Sequence, residues 1–137
     1  MSHSARQLEA LARIARIRSD MELKKFAAFR QHVASLDERI ACLQAELRAN
    51  AEGAVAAWTE EDGAGSLRLA RLAHALARSV TIEREAVQQE RARLTPRFEQ
   101  ARSTAVRAFG RADVLDRVAA DAARTRREER ARRQSGD

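Results

Sequence analysis

The sequence predicts an all-α protein that folds as a long antiparallel two-helix coiled-coil hairpin, with the second helix longer than the first and kinked near Pro96. Ala, Glu, Lys, Leu and Arg supply 81 of the 137 residues, whereas Gly supplies only 5 and Pro only 1. Such a composition is typical of long helices, and 27 residues of Leu, Ile, Val and Phe are too few for a thick layered core. A β-sandwich or barrel would need β-branched strands and frequent turns, so these folds are excluded.

Helix 1 is expected over residues 4–58, because apolar residues there recur at alternating spacings of three and four. The clearest stripe consists of Phe26, Phe29, Val33, Leu36, Ile40, Leu43 and Leu47. This spacing is typical of the a and d positions of a coiled coil, so we expect these residues to form its core. Upstream, a second apolar face follows a different phase and consists of Leu8, Leu11, Ile14, Ile17 and Met21. We therefore expect a register change near residues 22–25.

A turn over residues 59–65 is expected to join the helices, since two glycines cluster there, and Ser66 is a suitable N-cap for helix 2. Helix 2 is expected over residues 66–133. Its stripe includes Leu69, Leu72, Leu76, Val80, Val87, Leu94, Phe98 and Leu115, followed by alanines at similar spacing. We expect Leu94, Phe98 and Leu115 in the coiled-coil core. The run from Leu72 through Leu76 to Val80 predicts a stutter.

Pro96 interrupts the pattern of helix 2. A proline inside a helix removes one backbone hydrogen bond and costs ~3 kcal/mol, which kinks or breaks the helix. Thr95 and Pro96 could alternatively be an N-cap and first helical residue, which would divide helix 2 and give a three-helix bundle. A kink is favoured because Leu94 and Phe98 keep one phase across the proline.

Charge is unevenly distributed along the chain. The net charge is +6, yet residues 50–65 carry four acidic side chains and no basic one, and residues 124–137 carry six arginines against three acidic residues. A single fold-back would bring the basic chain ends together and leave the acidic segment at the opposite tip. Candidate binding residues at the basic end are Arg6, Arg13, Arg124, Arg126 and Arg127, although a solvated, fraying tail is the alternative. Trp58, beside the acidic turn, either folds the turn onto helix 2 or anchors a partner.

No catalytic or metal-binding motif is present, so an enzyme, a cofactor, a metal site and a small-molecule substrate are not expected. The histidines His3, His32 and His74 lie far apart in sequence, and the single cysteine, Cys42, has no ligand-type spacing to them. One cysteine cannot form an intramolecular disulfide, which is compatible with a reducing cytoplasm. No run of about 18 uncharged apolar residues occurs, so a transmembrane helix is not expected.

The pattern resembles the FliJ/YscO family, the central-stalk proteins of flagellar and type III secretion export machines. The resemblance covers nearly the whole chain. It depends on the N-terminal Leu8-x-x-Leu11-x-x-Ile14 pattern and an acidic, glycine-containing turn after an aromatic residue. It also depends on the segment 69–80 followed by Glu83-Arg84-Glu85, and on the charged tail Glu128-Glu129-Arg130.

The resemblance implies a non-enzymatic, cytoplasmic stalk or adaptor that associates peripherally with the inner-membrane export apparatus. Its partners would be the hexameric export ATPase, the export-gate membrane protein and secretion chaperones. Leu72 and Leu76 match apolar positions that family members direct toward the gate, and we place Trp58 with them at the tip. The five arginines at the basic end are candidates for the ATPase end, from their location alone.

Two other functions are consistent with the sequence. The +7 balance of residues 66–137 would suit a basic coiled coil that binds nucleic acid, but few aromatic residues are available for stacking on bases. A generic structural protein that self-associates through surplus apolar stripe on helix 2 is the other alternative.

Overall fold

A computed structural model shows two long helices that pack against each other. It describes the backbone of residues 2–60 and 64–136, and the side chains of residues 4–56 and 65–136. Helix α1 spans Ser2–Glu60 and helix α2 spans Ala64–Ser135, and no strand occurs within these described ranges. The residues predicted to form the centre of the turn, 61–63, lie outside the described part of the chain.

The helix bounds differ slightly from those expected from the sequence. Helix α1 extends to Glu60, and α2 begins at Ala64. Ser66 therefore lies inside the first turn of α2, where it is buried, and not at the N-cap position that the sequence predicted. Ala64 is an excellent helix former, which explains why the helix starts before the serine.

Helix α2 runs through Pro96 without interruption, so the division of helix 2 at residue 95 does not occur. Directly before the proline, the Thr95 hydroxyl accepts a hydrogen bond from Arg91 Nη1 at 3.0 Å and donates one to the Arg91 carbonyl oxygen at 3.3 Å. Proline lacks the N–H that a helical residue donates four positions back, so the helix holds one bond fewer at this point.

The chain divides into two compact units. Unit 1 comprises Met1–Phe29 and Phe98–Asp137, and unit 2 comprises Arg30–Arg97. Each unit therefore contains one segment of α1 and one segment of α2, and each has its own seam, meaning the set of inward residues where the two segments meet.

In unit 2 the α1 side of the seam is the predicted stripe. Val33 and Leu43 are buried, and Leu43 is fully enclosed at 0% exposure, while Leu36, Ile40 and Leu47 are half-buried. The helices are also joined by polar groups. Asn50 Nδ2 donates to the Ala73 carbonyl oxygen at 2.9 Å, Arg91 Nε donates to Asp37 Oδ1 at 2.9 Å, and Arg39 pairs with Glu83.

The α2 side of this seam corrects the sequence analysis. The half-buried residues include Ala70, Ala73, Ala77, Val80 and Val87, so the spacing of three and four continues upstream of Val80 without a stutter. Leu72 and Leu76, which the sequence assigned to the stripe, are 56% and 50% exposed. An uninterrupted seven-residue repeat avoids the local unwinding of the coiled coil that a stutter requires. The three alanines lie at positions of this repeat, whereas Leu72 and Leu76 do not.

In unit 1 an aromatic cluster adjoins a run of small residues. The ring of Phe98 lies 5.3 Å from that of Phe26 and 6.1 Å from that of Phe29, in tilted geometries typical of packed aromatic pairs. The buried positions elsewhere in the seam of this unit carry small side chains: Ala5, Ala12, Ser19, Ala105, Ala112 and Ala119.

These positions show that the expected register change near residues 22–25 is wrong. Ala5, Ala12, Ser19 and Phe26 are each seven residues apart, so the phase of the central stripe extends unchanged toward the N-terminus. The larger residues of that segment face outward: Leu11, Ile14, Ile17 and Met21 are all exposed, and only Leu8 is half-buried. Small residues on α1 fit the alanine-rich face of α2, whereas bulky ones would hold the helices apart.

Two arginines occupy seam positions of α2 in unit 2. Arg91 is matched by Asp37, but the Nε atom of Arg84 is enclosed and has no hydrogen-bond partner among the described residues. On the flank of the seam, the hydrogen bond to Glu83 and the charge of that carboxylate raise the pKa of Arg39.

The burial pattern predicts unequal effects for two leucine-to-alanine substitutions in unit 2. Leu43→Ala should lower the free energy of unfolding by about 2–5 kcal/mol, because it leaves a cavity in the seam. Leu72→Ala should change it by less than about 0.5 kcal/mol, because the side chain is exposed. Urea unfolding followed by circular dichroism measures both, and equal effects would contradict the observed register.

Candidate functional site

Exposed helix surfaces are the candidate sites among the described residues. No group of three or more His, Cys, Asp or Glu side chains gathers there in a way that could hold a metal ion. Cys42, on α1, is exposed and is a free thiol. Within the described helices, no segment is both long and apolar enough to cross a bilayer.

The five arginines predicted for the ATPase end all belong to unit 1. Arg6, Arg13, Arg124 and Arg127 are exposed, while Arg126 is half-buried at the seam position seven residues after Ala119. Arg13 borders the same groove as Ala120 and Ala123 of α2. Residues four apart share a helix face, so the next turn beyond these alanines carries Arg124 and Arg127. The structure therefore brings Arg13 near the tail arginines.

Nearby carboxylates neutralise part of the positive charge of this basic surface. The groove beside Arg13 also contains Glu9 and the ion pair of Arg16 with Asp116, so two arginines there are balanced by two carboxylates. Arg124 Nη2 lies 3.1 Å from Asp121 Oδ1. The positive excess of the surface comes from Arg6 and from the tail of α2, where Arg126, Arg127 and the arginines that follow them outnumber Glu128 and Glu129.

Leu72 and Leu76 belong to a second surface, in unit 2. With Leu69 they form one wall of a groove whose other side is made by Ala49, Asn50, Gly53 and Ala54 of α1. We call this the leucine groove. Its base includes the hydrogen bond from Asn50 to the Ala73 carbonyl oxygen. A Cβ atom added at Gly53 would meet nothing within 4 Å, so the groove is open to a partner on the α1 side.

Trp58 lies near the end of α1, but its side chain falls outside the part of the chain that the structure describes. Its assignment to a binding tip stays a prediction. The acidic residues Glu61 and Asp62 of the expected turn also fall outside the described residues.

The sequence analysis missed a third surface, on unit 1. Large aliphatic residues of both helices are exposed there, together with three arginines: Leu11, Ile14, Met21, Val114, Val118, Arg18, Arg107 and Arg111. The signal that could have identified this surface was available. Counting back in sevens from Phe26 gives Ser19, Ala12 and Ala5, which fixes the seam and turns the larger residues outward.

Comparison with known proteins adds no further constraint. No family model, no curated protein and no solved structure matches the chain. The functional conclusion therefore depends on the surfaces themselves and on what such surfaces can bind.

The leucine groove predicts a stability effect at Gly53. Gly53→Ala should raise the free energy of unfolding by about 0.5–1 kcal/mol, because alanine favours the helix and meets no neighbour. Gly110→Ala in unit 1, where the added Cβ also has open space, is the matched control and should give a similar gain. Urea unfolding measures both, and a loss at Gly53 alone would show that the groove is closed in solution.

Proposed function

We propose that this protein is a non-enzymatic stalk or adaptor of a flagellar or type III secretion export apparatus, which binds the export ATPase ring and the export gate and associates with secretion chaperones. One observation carries the proposal: small residues fill much of the seam while large aliphatic residues face outward. Exposed clusters of large apolar side chains are typical of protein-binding sites. A helix pair arranged in this way suits a protein whose work is docking.

The gate is the proposed partner of the leucine groove. Leu72 and Leu76 resemble the positions that FliJ/YscO proteins direct toward the gate, and their exposure leaves them accessible to a partner. Ala49 and Gly53 on the opposite wall allow a close approach of another backbone. The apolar character of the groove suits a contact that depends on shape and burial more than on charge.

The ATPase ring is the proposed partner of the basic surface of unit 1. Exposed charges of this kind contribute mainly by steering a partner into place, so an acidic rim on the ATPase would be its complement. Arg6, Arg13, Arg124, Arg126 and Arg127 remain our candidates. Their exposure and the proximity of Arg13 to the α2 tail support a common role.

An antiparallel hairpin is the fold that we propose for such a stalk. In unit 2, the α1 partners Asp37, Arg39 and Asn50 come in ascending order. Their α2 partners Arg91, Glu83 and Ala73 come in descending order. In unit 1, Arg16 likewise pairs with Asp116 and Phe26 with Phe98. A kink at Pro96, a cytoplasmic location and peripheral association with the inner membrane complete the proposal.

The ATPase contact is tested by mixing the full chain with the export ATPase and measuring ATP turnover and hexamer formation. We expect both to increase. Replacing the five candidate arginines with alanine should slow association and flatten its salt dependence without loss of helicity, because such charges act mainly on the association rate. A variant with Arg30, Arg48, Arg68, Arg71 and Arg78 replaced loses the same charge from exposed positions of unit 2 and is the control. Absence of a complex and of any change in turnover would contradict the proposal.

The gate contact is tested with Leu72→Ser combined with Leu76→Ser. Binding to the cytoplasmic domain of the gate protein should weaken by at least about tenfold, since an apolar anchor is lost at each position. Leu67→Ser with Ile82→Ser is the control, because it removes two similarly exposed aliphatic side chains that do not line the leucine groove. Isothermal titration calorimetry compares the pairs, and equal losses for both would show that the groove is not the site.

A further inference from the structure

The outward face of unit 1 contains a groove between α1 and α2. One stretch is bordered by Leu11, Ile14 and Arg18 of α1 and by Arg111 and Leu115 of α2. The neighbouring stretch shares Arg18 and Arg111 and adds Met21, Thr104 and Arg107. We call the two stretches together the arginine groove. From Leu11 to Met21 it follows α1 for about 15 Å.

The arginine groove combines a small-residue floor with large apolar borders. Ala15 and Ala108, at seam positions, form its floor and are half-buried. Leu11 and Ile14 are 51% and 55% exposed, although both are large aliphatic residues. The apolar border continues on α2, where Val114 and Val118 lie seven residues beyond Arg107 and Arg111 and share their helix face.

The arginines of this groove have no acidic partner in the part of the chain that the structure describes. Arg18, Arg107 and Arg111 form no ion pair with any carboxylate among the described residues, and Arg107 bonds only to the Ser103 hydroxyl at 2.9 Å. The single carboxylate that lines the groove there, Glu22, is 3.6 Å from Lys25.

Elsewhere in unit 1, four arginines do have carboxylate partners. Arg16 pairs with Asp116, Arg102 with Glu99 at 4.0 Å, Arg117 with Asp113 at 3.1 Å and Arg124 with Asp121. Uncompensated positive charge is therefore concentrated beside exposed apolar side chains.

We infer that the arginine groove docks one amphipathic helix of a partner protein, with an apolar stripe toward Ala15 and Ala108 and carboxylates along its edges toward the arginines. A small-residue floor lets a third helix approach closely, and ridges of Leu and Ile would interdigitate with those of the incoming helix. Glutamate or aspartate on that helix could form bidentate pairs with guanidinium groups. The site uses none of the residues proposed to contact the ATPase or the gate.

Charge and shape favour this occupant over two others. A second copy of the chain related by twofold symmetry would bring the arginines of both copies to one interface, where like charges repel. A lipid surface would leave the alanine floor of a groove unfilled, and no Trp or Tyr lines the described groove to anchor it at a membrane interface.

The proposal is tested with the full chain and a synthetic helical peptide of about five turns, which carries Leu at a and d positions and Glu at e and g. A matched peptide with Lys in place of Glu is the control. Fluorescence anisotropy should show that the Glu peptide binds and that the Lys peptide binds at least about tenfold more weakly. The affinity of the Glu peptide should also fall as the salt concentration is raised.

Protein variants locate the site. Arg18→Glu with Arg111→Glu should weaken binding of the Glu peptide by at least about tenfold. Leu11→Ser with Ile14→Ser should weaken binding of this peptide as well. Arg102→Glu with Arg117→Glu makes the same charge change at exposed positions outside the groove and should leave affinity within about twofold. Circular dichroism should show that each variant remains helical, because the substituted positions are exposed.

Three results would overturn the inference. The first is equal binding of the Glu and Lys peptides, or equal losses for the groove pair and its matched control. The second is that the parent chain binds phosphatidylserine vesicles but not the peptide, and that Arg18→Glu with Arg111→Glu abolishes the vesicle binding. That result would assign the face to lipid. The third is concentration-dependent dimerisation abolished by Leu11→Ser with Ile14→Ser. The Leu72→Ser, Leu76→Ser variant should bind the peptide like the parent chain, which separates this inference from the proposed gate contact.

Discussion

Close packing of small side chains along a seven-residue repeat is the constraint on which the rest of this structure depends. Ala12 and Ala112 bury too little apolar area to stabilise a helix pair strongly, at roughly 25 cal/mol per Å². Stability must therefore concentrate where larger residues enter the seam, at Leu43 and in the cluster around Phe98. Because the repeat does not slip, large residues outside its phase, such as Leu11, Ile14 and Leu72, are turned toward solvent. The exposed surfaces are consequences of the seam.

The all-helical fold and the central stripe could be predicted from the sequence, because between Phe26 and Leu47 the large residues and the seam positions coincide. Prediction failed where they diverge. At Leu11 and Leu72 the sequence analysis followed hydrophobicity, which ranks residues by size, whereas the packed helices select residues by fit and by continuity of phase. The same divergence explains the candidate surfaces. The leucine groove and the arginine groove are exposed because alanines occupy the neighbouring seam positions, and a search for large residues does not detect alanines.

Polar groups in unit 2 fix the alignment of the helices more than they add stability. The side chains that form the pairs of Arg39 with Glu83 and of Asp37 with Arg91 are about half exposed, and ion pairs in contact with solvent add little to stability. The bond from Asn50 to the Ala73 carbonyl oxygen requires one particular alignment, since a shift by a single residue would remove it. A polar residue at a seam position commonly specifies register in this way, at some cost in stability. The enclosed Nε of Arg84, which has no hydrogen-bond partner among the described residues, is such a cost.

Docking and stability make opposite demands on the same residues. Exchanging Leu72 with the neighbouring Ala73 would enlarge the seam and bury more apolar area, but it would remove a wall of the leucine groove and displace the carbonyl that Asn50 contacts. The charged residues divide in a related way. Arginines on the exposed tail of α2 keep their hydration and act at long range, so they influence how fast a partner arrives. Arg18 and Arg111 stand beside apolar side chains, and a helix seated there would exclude water from them. These two arginines would then mainly slow dissociation of the partner, because desolvated charge pairs affect the dissociation rate more than the association rate.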